Sequence, residues 1–160
     1  MLQNDKAASV GQIPSGLFIV VVHEAKNQIT DGYLASWVQQ VSFDPLLVSL
    51  AIKPGRPAYD LIKAGQPFTI NIVGEHEKGY LKHFWKGYDP AQNPFKEIPH
   101  FITENQGLIL EQSKAALECV KASSAQPGDH EVIFAEVKSS YLFNSESKPM
   151  VHLRKSGASY

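Results

Sequence analysis

Cysteine is almost missing from this sequence. Cys119 stands alone, so no intrachain disulfide and no cysteine-rich metal site can form. It lies in the apolar run 115–120, where a buried, unreactive thiol is expected. A surplus of charge is lacking too: 15 Lys and Arg face 16 Asp and Glu, a net charge of -1. That balance leaves no field to gather nucleic acid or an anionic membrane surface. The longest apolar run, residues 17–22, is far short of the ~20 residues that a membrane helix needs. Residues 1–10 show no positive stretch followed by an apolar core, so no signal peptide is read and a cytoplasmic protein is expected. Several chemical signatures are also absent. No Gly-x-Gly-x-x-Gly follows a strand-like segment, no Gly-x-Ser-x-Gly elbow occurs, and no His-x-x-x-His or His-Glu-x-x-His pair exists. A Rossmann nucleotide site, a hydrolase elbow and a helix-borne zinc site are thereby excluded. Glu75, His76 and Glu77 read as solvated polar residues.

What is present suits one compact domain over residues 1–160, with 43% hydrophobic and 19% charged residues and a flexible arm expected at 1–12. Residues 17–22 are short, β-branched and fenced by Pro14 and Gly16, which predicts a strand buried on both faces. A hairpin is expected across 27–32, with Asp31-Gly32 as its turn signal. Residues 46–52 form another strand-like run, ended by Lys53-Pro54-Gly55-Arg56-Pro57. Tyr59, Leu61 and Ile62 fall at helical spacing, with Gly65 placed to cap. A third strand is read at 68–73, and a second short helix at 75–87 from Tyr80, Leu81, Phe84 and Trp85. Residues 89–100, with Pro90, Pro94 and Pro99, form an expected excursion loop. Further strands are read at 107–110, 116–122, 131–143 and about 150–154. Many strands, short helices and no βαβ rhythm predict an all-β antiparallel barrel with short helices.

Residues 34–45 hold the first candidate site. Ala35 and Ser36 are small enough to leave the backbone open to a flat ligand, and Ser36, Gln39, Gln40 and Ser42 add hydrogen-bonding groups. Arg56, in the Pro- and Gly-braced turn after the next strand, could grip a phosphate with two parallel hydrogen bonds. The same residues also read as an amphipathic strand ending in an Asp-Pro turn, with Arg56 as a solvated loop charge. The second candidate is Gln126-Pro127-Gly128-Asp129-His130, where Asp129 can orient the His130 imidazole. A plain hairpin turn with an exposed histidine fits that segment equally well.

Taken in order, these residues resemble the flavin reductase-like family. The resemblance rests on Leu34-Ala35-Ser36-Trp37-Val38-Gln39-Gln40-Val41-Ser42-Phe43-Asp44-Pro45, then Lys53-Pro54-Gly55-Arg56, residues 68–73, Leu117-Glu118-Cys119 and Gly128-Asp129-His130. The ending 152–157 and the run Lys82-His83-Phe84 look like the flavin-reductase module of cyanobacterial flavodiiron proteins. Such membership implies an FMN-binding split β-barrel, usually a homodimer, in which NAD(P)H reduces flavin by hydride transfer. Electrons then pass to free flavin or to an electron-accepting protein. It further implies cofactor contacts from Leu34, Ala35, Ser36, Trp37, Gln40, Val41 and Ser42, phosphate contacts from Lys53 and Arg56, and a catalytic role for His130 near flavin and nicotinamide. Trp37 and Gln40 stand where many relatives have Ser or Thr, which shifts flavin contacts there toward the backbone. Pro57 and Ala58 stand where others place Arg and Thr, which leaves Arg56 more of the phosphate duty. With no diiron or flavodoxin-like sequence in the chain, a stand-alone protein or isolated module is expected. An FMN-binding electron carrier without nicotinamide turnover is the alternative activity.

Overall fold

The computed structural model describes residues 5–85 and 93–159. In chain order it begins with helix α1 (Lys6–Gly11), then strands β1 (Ser15–Gly16), β2 (Phe18–Glu24), β3 (Ile29–Ala35), β4 (Val38–Ser42) and β5 (Leu47–Ile52). Helix α2 (Pro57–Lys63) leads to β6 (Phe68–Ile72), followed, among the described residues, by 3-10 turns at Gly79–His83 and Pro94–Lys96. The remainder is β7 (His100–Ile102), β8 (Leu108–Leu110), β9 (Ala115–Ala125), β10 (Glu131–Leu142) and β11 (Val151–His152). Seven strands pair antiparallel in the order β3-β2-β6-β9-β10-β5-β4. The two edge strands, β3 and β4, are consecutive in the chain and joined only by Ser36 and Trp37. The sheet must therefore curl until its edges meet, which makes an antiparallel split barrel, as the sequence predicts.

Burial explains the curl. Val20 and Val22 of β2 face the inner core with Leu50, Ile70 and Ile133, while Ile19 and Val21 face an outer core with Leu17, Tyr80, Leu81 and Phe84. All four β2 residues are fully buried, so this strand is apolar on both faces as expected. Strand β6 alternates, yet its polar positions are not solvated. Thr69 and Asn71 are both fully buried and bond the small β7–β8 sheet. Thr69 Oγ1 donates to the Leu108 carbonyl at 2.7 Å, and the Leu110 N–H donates to Asn71 Oδ1 at 2.9 Å. Two side chains thus stand in for a strand edge, satisfying β8 backbone groups that burial would otherwise strand.

Helix α2 ends as the sequence predicts. Gly65 has φ +95°, its N–H donates to the Ile62 carbonyl at 3.0 Å, and the Gln66 N–H donates to the Leu61 carbonyl at 3.0 Å, a left-handed cap that glycine adopts without strain.

Four expectations need correction. The arm read at 1–12 holds helix α1 over Lys6–Gly11, with Asp5 accepting from the Ala8 N–H at 2.9 Å. Gly11 is buried because the C-terminal segment lies against it, and the Arg154 N–H donates to its carbonyl. The β2–β3 turn lies at residues 25–28, with Gln28 at positive φ, and Asp31-Gly32 sits inside β3. Gly32 is there for space: a Cβ would come within 2.8 Å of the Phe95 ring. Finally, residues 79–83 wind as a 3-10 turn rather than an α-helix, and His100, read as the end of the loop, begins β7 because the β8 edge offers a partner. The part of the expected loop at 89–92 lies outside the described residues.

Strand β11 is steered by a carboxylate. Asn144 Nδ2 donates to Glu77 Oε1 at 2.6 Å and Ser147 Oγ donates to Glu77 Oε2 at 2.7 Å, fastening the loop before β11 to the segment after β6. These bonds, that from Ser147 foremost, hold the Glu77 carboxyl below its ordinary 4.5. A depressed folded-state value favours folding above 4.5, and that contribution fades as pH falls through the lowered value. Amide exchange around Ser147 is expected to lose protection at about pH 3 relative to pH 7, after correction for intrinsic exchange, and Glu77→Gln should lose it at both. Protection independent of pH in the unsubstituted chain would remove the role given to this carboxylate.

Candidate functional site

Where the two sheet edges meet, a cleft of about 390 Å³ opens, within the usual size for a small-molecule site. One wall is the end of β3 and the link beyond it: Tyr33, Leu34, Ala35, Ser36 and Trp37. The floor is the end of β5 and its exit turn, Ala51, Ile52, Lys53 and Arg56, and Leu17 lies beside it. Phe84, Trp85 and His152 close the opposite side.

Local bonds explain these positions. The Trp37 carbonyl accepts from the Ala51 N–H at 3.0 Å, which anchors the β3–β4 link on β5. The Trp37 indole is flanked by the Arg154 guanidinium, 4.9 Å from the ring centroid, and by the His130 ring at 4.9 Å and 57°. Arg56 lies over the Tyr33 ring at 5.2 Å. Across the cleft, Trp85 meets His152 edge-on at 6.5 Å, and Phe84 packs on Phe95 at 6.0 Å. Among the described residues, no carboxylate lies within ion-pair distance of Lys53, Arg56 or Arg154, although Asp129 and Asp31 are near enough to feel the charges of Lys53 and Arg56. The site can therefore hold a flat, largely apolar ring against small residues and aromatics, with an anion at the Lys53–Arg56 end.

The sequence-predicted residues divide clearly. Leu34, Ala35, Ser36, Trp37, Lys53 and Arg56 are brought together in the cleft. Gln40, Val41 and Ser42 are not; they continue along β4, with Gln40 and Val41 exposed. His130 is 12% exposed in its side chain and is not part of the cleft wall; it lies against Trp37. Its Nδ1 donates to Asp129 Oδ1 at 2.8 Å, and that bond is the main cause holding the Asp129 carboxyl below its ordinary range. Sequence reasoning missed Tyr33, Trp85 and His152 as wall residues. For Trp85 the signal was present, an aromatic at helical spacing, but its 58% exposure and direction come only from packing. Cys119 is buried, with its thiol pushed up to about 12 by burial, and takes no part. Among the described residues no three of His, Cys, Asp or Glu gather as metal ligands would.

Comparison with known proteins agrees with this geometry. The family model of the flavin reductase like domain matches residues 10–159. A curated relative, diflavin flavoprotein A 1 from Synechocystis sp., is 32% identical over 160 residues, covering 99% of this chain and 28% of the relative. The chain thus spans little more than a quarter of that relative's length. Among solved structures, an NADH:FAD oxidoreductase of Streptomyces globisporus in complex with NAD and FAD fragments superposes with a TM-score of 0.79 at 20% identity, over 94% of this chain and 86% of that one. An FMN-binding protein of Thermus thermophilus does so with a TM-score of 0.76 at 21% identity, over 96% and 89%.

Proposed function

The chain belongs to the flavin reductase-like family, and from that premise we propose that it binds FMN in the β3–β5 cleft and works as an NAD(P)H-dependent flavin reductase. One observation carries the reading: a cleft of small and aromatic residues ends in two cations with no carboxylate within ion-pair distance among the described residues. That arrangement suits a flat ring joined to a phosphate. Ala35, Ser36 and Trp37 would receive the isoalloxazine, and Lys53 and Arg56 the phosphate. Hydride acceptance from a nicotinamide is the chemistry that bound flavin supplies. The protein's part is to position rings, exclude water with Phe84, Trp85 and His152, and keep the indole of Trp37 fixed between Arg154 and His130. Free flavin or an electron-accepting protein would take the electrons, in a cytoplasmic homodimer. The exposed apolar residues Val41, Phe43 and Leu46 near the β4–β5 turn, Phe43 at 90% exposure, supply a surface for such pairing.

A second reading, an FMN electron carrier reduced by a protein partner, is favoured by His130 standing against Trp37 rather than on the cleft wall. Anaerobic stopped-flow mixing of the FMN-loaded protein with NADH or NADPH separates the two. A reductase bleaches the flavin absorbance within seconds; a carrier leaves it oxidised. Failure of the protein to take up FMN in a titration would end both readings. His130→Ala is expected to retain FMN but slow bleaching about tenfold, because Trp37 loses one of its flanking contacts; full-rate bleaching would remove His130 from the reaction.

A further inference from the structure

Strand β3 reaches the cation-bearing turn at two points. Asp31 is only 5% exposed, and its Oδ2 accepts from the Ala58 N–H at 2.8 Å, a bond spanning 27 positions of chain. Ala58 is the second residue of α2, and Arg56, which precedes the helix, makes no capping bond with its own side chain. The cap is thus supplied from another strand, which fixes the backbone two residues beyond Arg56. Two residues along β3, Tyr33 holds the Arg56 guanidinium over its ring at 5.2 Å. One strand therefore clamps the turn's backbone with Asp31 and its guanidinium with Tyr33.

A buried carboxylate is a costly cap, and Ser or Asn would cap without burying charge. Burial pushes the Asp31 carboxyl up, while the Ala58 and Gly32 N–H groups and nearby Arg56 pull it back toward ionisation. The ionised form accepts the Ala58 hydrogen bond and lies near enough to feel the Arg56 charge.

We propose that Asp31 is a positioning residue for phosphate recognition: by fixing the turn from Lys53 to Ala58, it makes this cleft prefer FMN to the same flavin without phosphate. The inference rests on reading the cleft as a flavin site, and the phosphate itself meets Lys53 and Arg56 rather than Asp31.

The test is a pair of fluorescence titrations, with FMN and with riboflavin, on the full chain and on Asp31→Ala and Asp31→Asn. The unsubstituted chain is expected to bind FMN more tightly than riboflavin. Asp31→Ala should weaken FMN binding about tenfold and leave riboflavin binding within about twofold. Asp31→Asn keeps an acceptor for the Ala58 N–H but not the charge, and should weaken FMN alone, by about threefold. A cap that only supports the fold would weaken both flavins equally, and that result overturns the proposal, as does an unchanged FMN affinity in both variants. Should Asp31→Ala not fold, Asp31→Asn decides by the same comparison. An unsubstituted chain that binds both flavins equally overturns the phosphate role alone, whereas one that binds neither removes the flavin reading and this inference with it.

Discussion

Arg56→Ala is expected to weaken FMN binding about thirtyfold, roughly 2 kcal/mol, and to leave riboflavin binding nearly unchanged. The size follows from the chemistry of the guanidinium. Its planar fork can meet two phosphate oxygens at once, and charge-assisted hydrogen bonds of this kind contribute about 1.5–3 kcal/mol. Arg56 is exposed, however, so solvent and salt screen part of this, which places the expectation in the lower half of that range. It is nonetheless prepared for the task, since its guanidinium lies over the Tyr33 ring at 5.2 Å and no carboxylate among the described residues is within ion-pair distance of it. Arg56→Lys should recover only part of the loss, because an ammonium is a point charge without the fork. Calorimetric titration with both flavins at low and high salt measures this. An FMN affinity indifferent to Arg56 and to salt would mean that the phosphate is held elsewhere.

Asn71→Leu should lower stability by about 3 kcal/mol, even though it swaps one fully buried side chain for another of similar size. Asn71 makes three bonds at the junction of the barrel with the β7–β8 sheet. Its Nδ2 donates to the Ile19 carbonyl and to Thr69 Oγ1, each at 3.1 Å, and its Oδ1 accepts from the Leu110 N–H at 2.9 Å. Leucine can replace none of them, and the Leu110 N–H would be left buried without an acceptor. A stranded group of this kind costs about 1–3 kcal/mol, and Thr69 loses a donor as well. For a chain of this length the melting temperature should fall by about 6–12 °C. Thermal unfolding followed by circular dichroism measures it, with Ile70→Val on the same strand as a reference for a packing change of about 1 kcal/mol. If the two variants melt together, the side-chain bonds to β8 contribute little.

Asn71 also shows where reading a sequence stops. Alternation along β6 identifies a strand but not what lies on its polar face. Only the docking of β8 turns Thr69 and Asn71 from apparent surface residues into buried acceptors and donors. Asp31-Gly32 is the sharper case. As a dipeptide it signals a turn, but the pairing of β2 with β3 places the turn at 25–28, which frees the pair for other work. Asp31 then caps a distant helix, and Gly32 makes room for Phe95. A local turn preference is overridden by the ladder that pairs β2 with β3.

The sequence by itself determined the strands, because β-branched runs such as 17–22 and the punctuation at 53–57 act locally on the backbone. It determined the family resemblance through ordered motifs, and it placed Leu34 to Trp37, Lys53 and Arg56 in one candidate site. Tertiary structure decided which of those residues share a cleft. A two-residue link forces the sheet edges together, so Trp37 and Arg56 line one cleft while Gln40 and Val41, a few residues on, are carried away along β4. It also brought Trp85 and His152, 67 positions apart in number, to the opposite wall. Contacts between residues far apart in the chain follow from which strands pair and how the sheet closes, and no local pattern of residues records that.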